Sequence, residues 1–142
     1  MIKHLITISC LLGACLLAVP ARAIEPSNDP IDRKAAACMD RDPSTAGMIE
    51  CLQQAYADWD GELNAVYADV RLRLNPQAQS ALKDAQRLWI SYRDAEFAAI
   101  DAIYGAMQGT MWRLAGLSRK VEFLKNRVLE LRMYVEDLNQ AN

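Results

Sequence analysis

The sequence predicts an all-α fold: an elongated antiparallel bundle of three long helices, with a short N-terminal helix tied on by a disulfide. Three observations carry that prediction. Apolar residues after about residue 45 recur at alternating spacings of three and four, which lines them up on one face of a helix. Asn75-Pro76 and the Gly105 to Gly109 stretch punctuate those runs as turns do. No segment shows the two-residue alternation of a half-buried strand.

The chain of 142 residues opens with Lys3 and His4, an apolar run from Leu5 to Val19, and the small-x-small ending Ala21-Arg22-Ala23. This is the pattern of a signal peptide, residues 1–23, cleaved near Ala23. The apolar run is shorter than the roughly 20 residues a membrane span needs. Leu12-Gly13-Ala14-Cys15 resembles a lipoprotein box. The apolar stretch continues past Cys15, where lipoproteins turn polar, so lipid attachment there is the weaker reading. The expected product is a periplasmic or secreted single domain, residues 24–142, with no membrane span in the mature chain.

Within that domain, Asp29-Pro30 reads as an N-cap and first-turn proline opening a short helix to Cys38. Met39 to Ser44 holds Asp42-Pro43 and reads as a turn. The first long helix is expected from about Ser44 or Thr45 to Leu74, with the stripe Leu52, Tyr56, Trp59, Leu63, Val66 and Val70. Asn75 and Pro76 stop it and start the next. The second long helix is expected from about Gln77 to Met107, with the stripe Leu82, Ala85, Trp89, Tyr92, Ala99 and Ile103, Ile100 beside it and Glu96 interrupting it. Thr110 is the expected cap of the third. That helix has the most regular stripe: Leu114, Leu117, Val121, Leu124, Val128, Leu131, Val135 and Leu138. Short turns make neighbouring helices antiparallel. So regular a seam also leaves room for a homodimer through the third long helix.

Cys10 and Cys15 depart with the signal, leaving Cys38 and Cys51. An even pair in an exported small domain reads as a disulfide. The competing metal site lacks ligands, because the single histidine, His4, departs too. Histidine-based triads and zinc sites are excluded on the same ground, and no cofactor motif is present. Carboxylates remain as catalytic candidates: Asp58 with Glu62, Asp94 with Asp101, Glu96 with Asp101. On slender helices such groups are mostly solvated, so the chain reads as a non-enzyme. Removing Lys3 and Arg22 from 16 basic and 18 acidic residues leaves 14 against 18, a net charge of −4. That balance disfavours nucleic acid and suits a cationic partner.

Two polar clusters stand out. Asp60, Asn64 and Tyr67 share a face beside the first long seam, and Gln86, Arg93 and Glu96 approach one another across turns of the second long helix. Both read as hydrogen-bonded networks that fix helix register. Tyr56, Trp59, Trp89 and Tyr92 read as inward-facing. Trp112, beside the glycine-containing turn, reads as core, with presentation to a partner as the alternative.

Cys38, Met48, Cys51, the WDGELNAVYADV stretch and the AQRLWISYRDAE stretch resemble the LprI-like lysozyme inhibitor domain, over roughly residues 38–131. Gly109-Thr110 and Arg127 sit where that family has similar residues. Members typically carry a further cysteine after the YRDAE run and a partner for it in the last helix. Here Phe97 stands at the first place and Ser118 or Arg119 near the second. The resemblance implies a small exported helical protein that binds and blocks a cationic lysozyme. Candidate partner-binding residues are Asp40, Arg41 and Asp42 in the disulfide loop, and Met107, Gln108 and Trp112 around the later turn. The alternative is an envelope structural or adaptor module that binds another protein through a helix face.

Overall fold

The computed structural model describes residues 28–141. The expected signal peptide, its cleavage near Ala23 and Cys15 lie outside the described residues. Four helices follow in order: α1 (Pro30–Arg41), α2 (Thr45–Arg73), α3 (Pro76–Gly105) and α4 (Thr110–Gln140). At 1.5 Å per residue the three long ones each extend about 45 Å.

Local chemistry sets the boundaries. Asp29 caps α1 by accepting the Ile31 N–H at 2.9 Å, and Pro30 occupies the first turn, where no N–H is missed. α1 continues to Arg41, one turn beyond the expected end at Cys38. Pro43 enforces the stop by keeping Asp42 out of the helical region, and a basic residue in the last turn suits the helix dipole. Ser44 accepts the Gly47 N–H at 3.0 Å to open α2. Asn75 accepts the Ala78 N–H at 2.9 Å to open α3, again with proline in the first turn. Thr110 does not cap α4. Gly109 occupies that position with φ of 107°, a backbone that side-chain-bearing residues rarely adopt, and Thr110 is the first helical residue.

α2 and α4 run parallel and make the main seam. Glu62 faces Arg132 and Arg73 faces Asn139, while Leu52, Ala55, Trp59, Leu63 and Val70 bury against Val121, Leu124, Val128 and Leu131. Trp59, Leu124, Val128 and Leu131 are wholly inaccessible. α3 lies antiparallel on α4, with Gln86 against Arg127 and Asp101 against Lys120. α1 runs back along α2. It is tied there by the Cys38–Cys51 disulfide and a 2.7 Å Lys34–Asp58 ion pair, and it packs Ile31, Ala35 and Met39 on the core.

The α2 and α4 stripes match their expected residues, but α3 is rotated. Its buried positions are Leu82, Gln86 and Ile100. Ala85, Tyr92, Ala99 and Ile103, expected on the inner face, are exposed, Tyr92 at 58% and Ile103 at 54%. The line that meets α4 runs Leu82, Gln86, Trp89, Arg93, Phe97, Ile100. It carries two polar residues, Gln86 held by Arg127 and Arg93 paired with Asp94.

Candidate functional site

Parallel α2 and α4, each preceded by an antiparallel helix, bring two turns to one end of the bundle. The C-terminus of α1 and the N-terminus of α2 meet there, as do the C-terminus of α3 and the N-terminus of α4. All six expected partner-binding residues belong to that end. Asp40 and Arg41 are exposed on the last turn of α1, with Arg41 donating to the Ala37 carbonyl. Asp42 turns back instead: its carboxylate accepts the Ser44 N–H at 3.0 Å. Hydrogen bonds from the Ser44 side chain and backbone hold its pKa below the usual aspartate value. Gly47 is what allows this fold-back, because a Cβ there would lie 2.2 Å from the Asp42 carboxyl carbon. Sequence reasoning missed Gly47; a glycine in the first helical turn just after Asp-Pro-Ser is the signal that marks it.

The other turn is apolar. Met107 is 40% exposed, Met111 70% and Trp112 39%. Trp112 is therefore not a core residue; its ring rests on Tyr104, with centroids 6.3 Å apart. Gln108 is exposed between them. Gly116 lets α3 and α4 close below the tip, since a Cβ there would lie 3.2 Å from that of Tyr104. Beside the disulfide, Arg41, Glu50, Gln53 and Gln54 line a shallow depression. The end thus presents an acidic and amide patch next to an exposed methionine and tryptophan patch.

The polar residues along the shaft separate into two kinds. Gln86 joins two helices: its side-chain oxygen accepts from Arg127 Nε at 3.1 Å and Nη2 at 3.0 Å, and Arg127 Nη1 reaches Glu130 at 2.6 Å. Arg127 and Arg93 both lie over the Trp89 ring, at 5.9 and 5.8 Å. Arg93 pairs with Asp94 on its own helix. Asp60, Asn64 and Tyr67 stay within α2. Asn64 donates to the Asp60 carbonyl at 2.9 Å, and Tyr67 lies under Arg71. Glu96 joins neither group.

A third ionic cluster, not singled out from the sequence, fastens α1. Arg132 reaches Asp29 at 2.6 Å and Glu62 at 2.7 Å while lying over the Trp59 ring, and Lys125 reaches Asp32 at 2.7 Å. Burial alone would lower the pKa of Lys125 and of Arg132. Hydrogen bonds and fields from Asp29, Asp32, Glu62 and Glu122 outweigh it and raise both. The Lys34 hydrogen bond, helped by Gln54, holds Asp58 below its usual value against a smaller effect of burial. Among the carboxylates weighed for catalysis, Asp58, Glu62, Asp94 and Asp101 are each held by a cation. No group of side chains among the described residues suits a metal ion. No helix among them is long and apolar enough to cross a membrane.

These features define a class: small disulfide-fastened helical bundles that carry exposed turns at one end. Within it, the chain belongs to the family of the lysozyme inhibitor LprI, whose model matches residues 36–131. Among solved structures, the chain is similar to an uncharacterised protein from Burkholderia thailandensis, at 31% identity and a TM-score of 0.75. That match covers 80% of this chain and 57% of the other, so the chain spans little more than half of its structural relative. A search of curated proteins gave no match. Phe97 packs on Phe123 and Tyr56, at centroid distances of 5.7 and 6.1 Å.

Proposed function

We propose that this protein is an exported, non-catalytic inhibitor of lysozyme-type muramidases, and that it binds them with the two-turn end of the bundle. The observation that carries the reading is the convergence of two chemically different turns at one end. Asp40 and Glu50 supply negative charge toward a cationic enzyme, while Met107, Met111 and Trp112 supply apolar contact area. The disulfide holds one turn and the Gly116 close approach holds the other, so little ordering entropy is lost on binding. Catalysis finds no support, because four of the five carboxylates weighed for it are engaged by cations.

The test mixes the purified, disulfide-bonded protein with goose-, invertebrate- and chicken-type lysozymes and follows lysis of a peptidoglycan substrate. Stoichiometric inhibition of one of them is expected, weakening as salt rises. Trp112→Ala should raise the inhibition constant about tenfold or more, as loss of an aromatic anchor does. A folded sample that leaves every enzyme in the panel untouched would sink the proposal.

A further inference from the structure

Among the described residues, Arg113 is the one arginine with no hydrogen bond, ion pair or ring contact. It is exposed, follows Trp112 directly, and lies in the opening turn of α4. There it lines a recess at the α3–α4 tip with Tyr104, Asp101 and Lys120. The carboxylate in that recess is already taken, because Lys120 holds Asp101 at 2.6 Å. A cation so early in a helix opposes the macrodipole, and no acidic residue in the first turn offsets it. The fold therefore gains nothing from this charge. Arg41, the other arginine at this end, donates back to the Ala37 carbonyl.

Helix register places Arg113 beside the acidic turn. Glu62 pairs with Arg132 and Arg73 with Asn139, at separations of 70 and 66 residues. Arg113 on α4 thus stands level with the turn that precedes α2 and with its opening residues. The two-turn end divides its charge: the Asp40 and Glu50 carboxylates on one side, an unengaged guanidinium on the other. A cationic muramidase has the inverse layout. Its outer surface is basic, while a glycoside hydrolase keeps two carboxyl groups flanking the scissile bond inside its cleft. A guanidinium binds a carboxylate as a fork through two parallel N–H···O bonds and stays charged when it loses water. We infer that Arg113 is the residue that blocks the enzyme: its guanidinium enters the cleft and pairs with the active-site carboxylates. Trp112 covers the rim beside it, and the acidic turn rests on the basic surface. This deepens the inhibitory reading above and rests on it.

The experiment takes the full disulfide-bonded protein and whichever lysozyme of the panel it inhibits, with calorimetric binding as a second readout. Arg113→Gln, at an exposed position, should leave melting unchanged and raise the inhibition constant by on the order of 100-fold. Arg113→Lys keeps the charge without the fork, and should raise it by about tenfold. Lys83→Gln removes one exposed positive charge near the opposite end of α3 and should change nothing. Replacing the enzyme's two active-site carboxyls by amides, one at a time, should weaken its binding to the unaltered inhibitor. With at least one of those enzymes, adding Arg113→Gln should cost no further affinity, because both changes delete the same contact. An unaltered protein that inhibits while Arg113→Gln inhibits equally well overturns the inference and leaves the inhibitory reading standing. Losses that simply add for both carboxyls do the same. An unaltered protein that inhibits no enzyme removes both together.

Discussion

The last helix treats its two long neighbours differently. Toward α2 it presents Val121, Leu124, Val128 and Leu131, and the contact is dry. Toward α3 it presents Arg127, Phe123, Lys120 and Gly116, and the contact is thin, aromatic and polar. The dry seam accounts for most of the stability, because burial of large aliphatic and indole side chains dominates folding. The polar contact does something burial cannot, since Gln86 and Arg127 are satisfied in one axial register only. One side of α4 makes the molecule fold, and the other decides where α3 stops sliding.

That contrast can be broken most sharply in the dry seam. Leu131→Ala removes a wholly inaccessible side chain and should destabilise by about 3–4 kcal/mol in a chemical denaturation experiment. A comparable loss from Leu88→Ala, which is 74% exposed on α3, would erase the distinction. Replacing both Cys38 and Cys51 with serine frees α1 from α2 and should lower stability by about 2–3 kcal/mol. The remaining ion pairs from Asp29 and Asp32 to α4 should keep α1 helical, which amide exchange would report. Gln86→Ala leaves the buried Arg127 short of an acceptor, at about 1–2 kcal/mol. Gln86→Glu, which restores an acceptor, should recover much of it, and a failure to do so would deny the register role.

The smallest effect is the pH response. Asp42 and Asp58 have pKa values depressed in the folded state, so their contributions are present above the usual aspartate range. They are lost as pH falls through the folded values. Lys34→Ala should return Asp58 toward its ordinary value in a carboxyl titration by NMR and leave Asp42 unmoved. A common shift of both would mean that the two sites are coupled through α1.

The same contrast separates what the sequence discloses from what it conceals. The α4 seam is legible because every contact position is apolar and nothing competes for the phase. The Asp29 and Asn75 caps are legible because the side chains that cap a helix are short and local. The phase of α3 is not, because its inner line includes Gln86 and Arg93 while its outer line holds Tyr92 and Ile103. Counting apolar residues therefore selects the exposed face. The missing information is the partner: Gln86 looks polar until Arg127 is known to lie opposite. Similarly, Trp112 has the composition of a core residue, and only the end of α3 shows that it rests on Tyr104 with one face open. For the candidate binding end, residue types were readable. The convergence of the two turns depends on the parallel pairing of α2 with α4, a property of the whole chain.

That pairing has a consequence in time. Glu62 and Arg132 are 70 residues apart, whereas the disulfide closes a separation of 13. Closing a longer loop adds entropy slowly but must precede the contacts that reward it. Until the final helix emerges, Trp59 and Leu63 have no cover beyond α1, and the turn between α2 and α3 joins helices that scarcely meet. The chain therefore has no stopping place partway: an early, local clasp forms at one corner, and everything else waits for the 31 residues of α4.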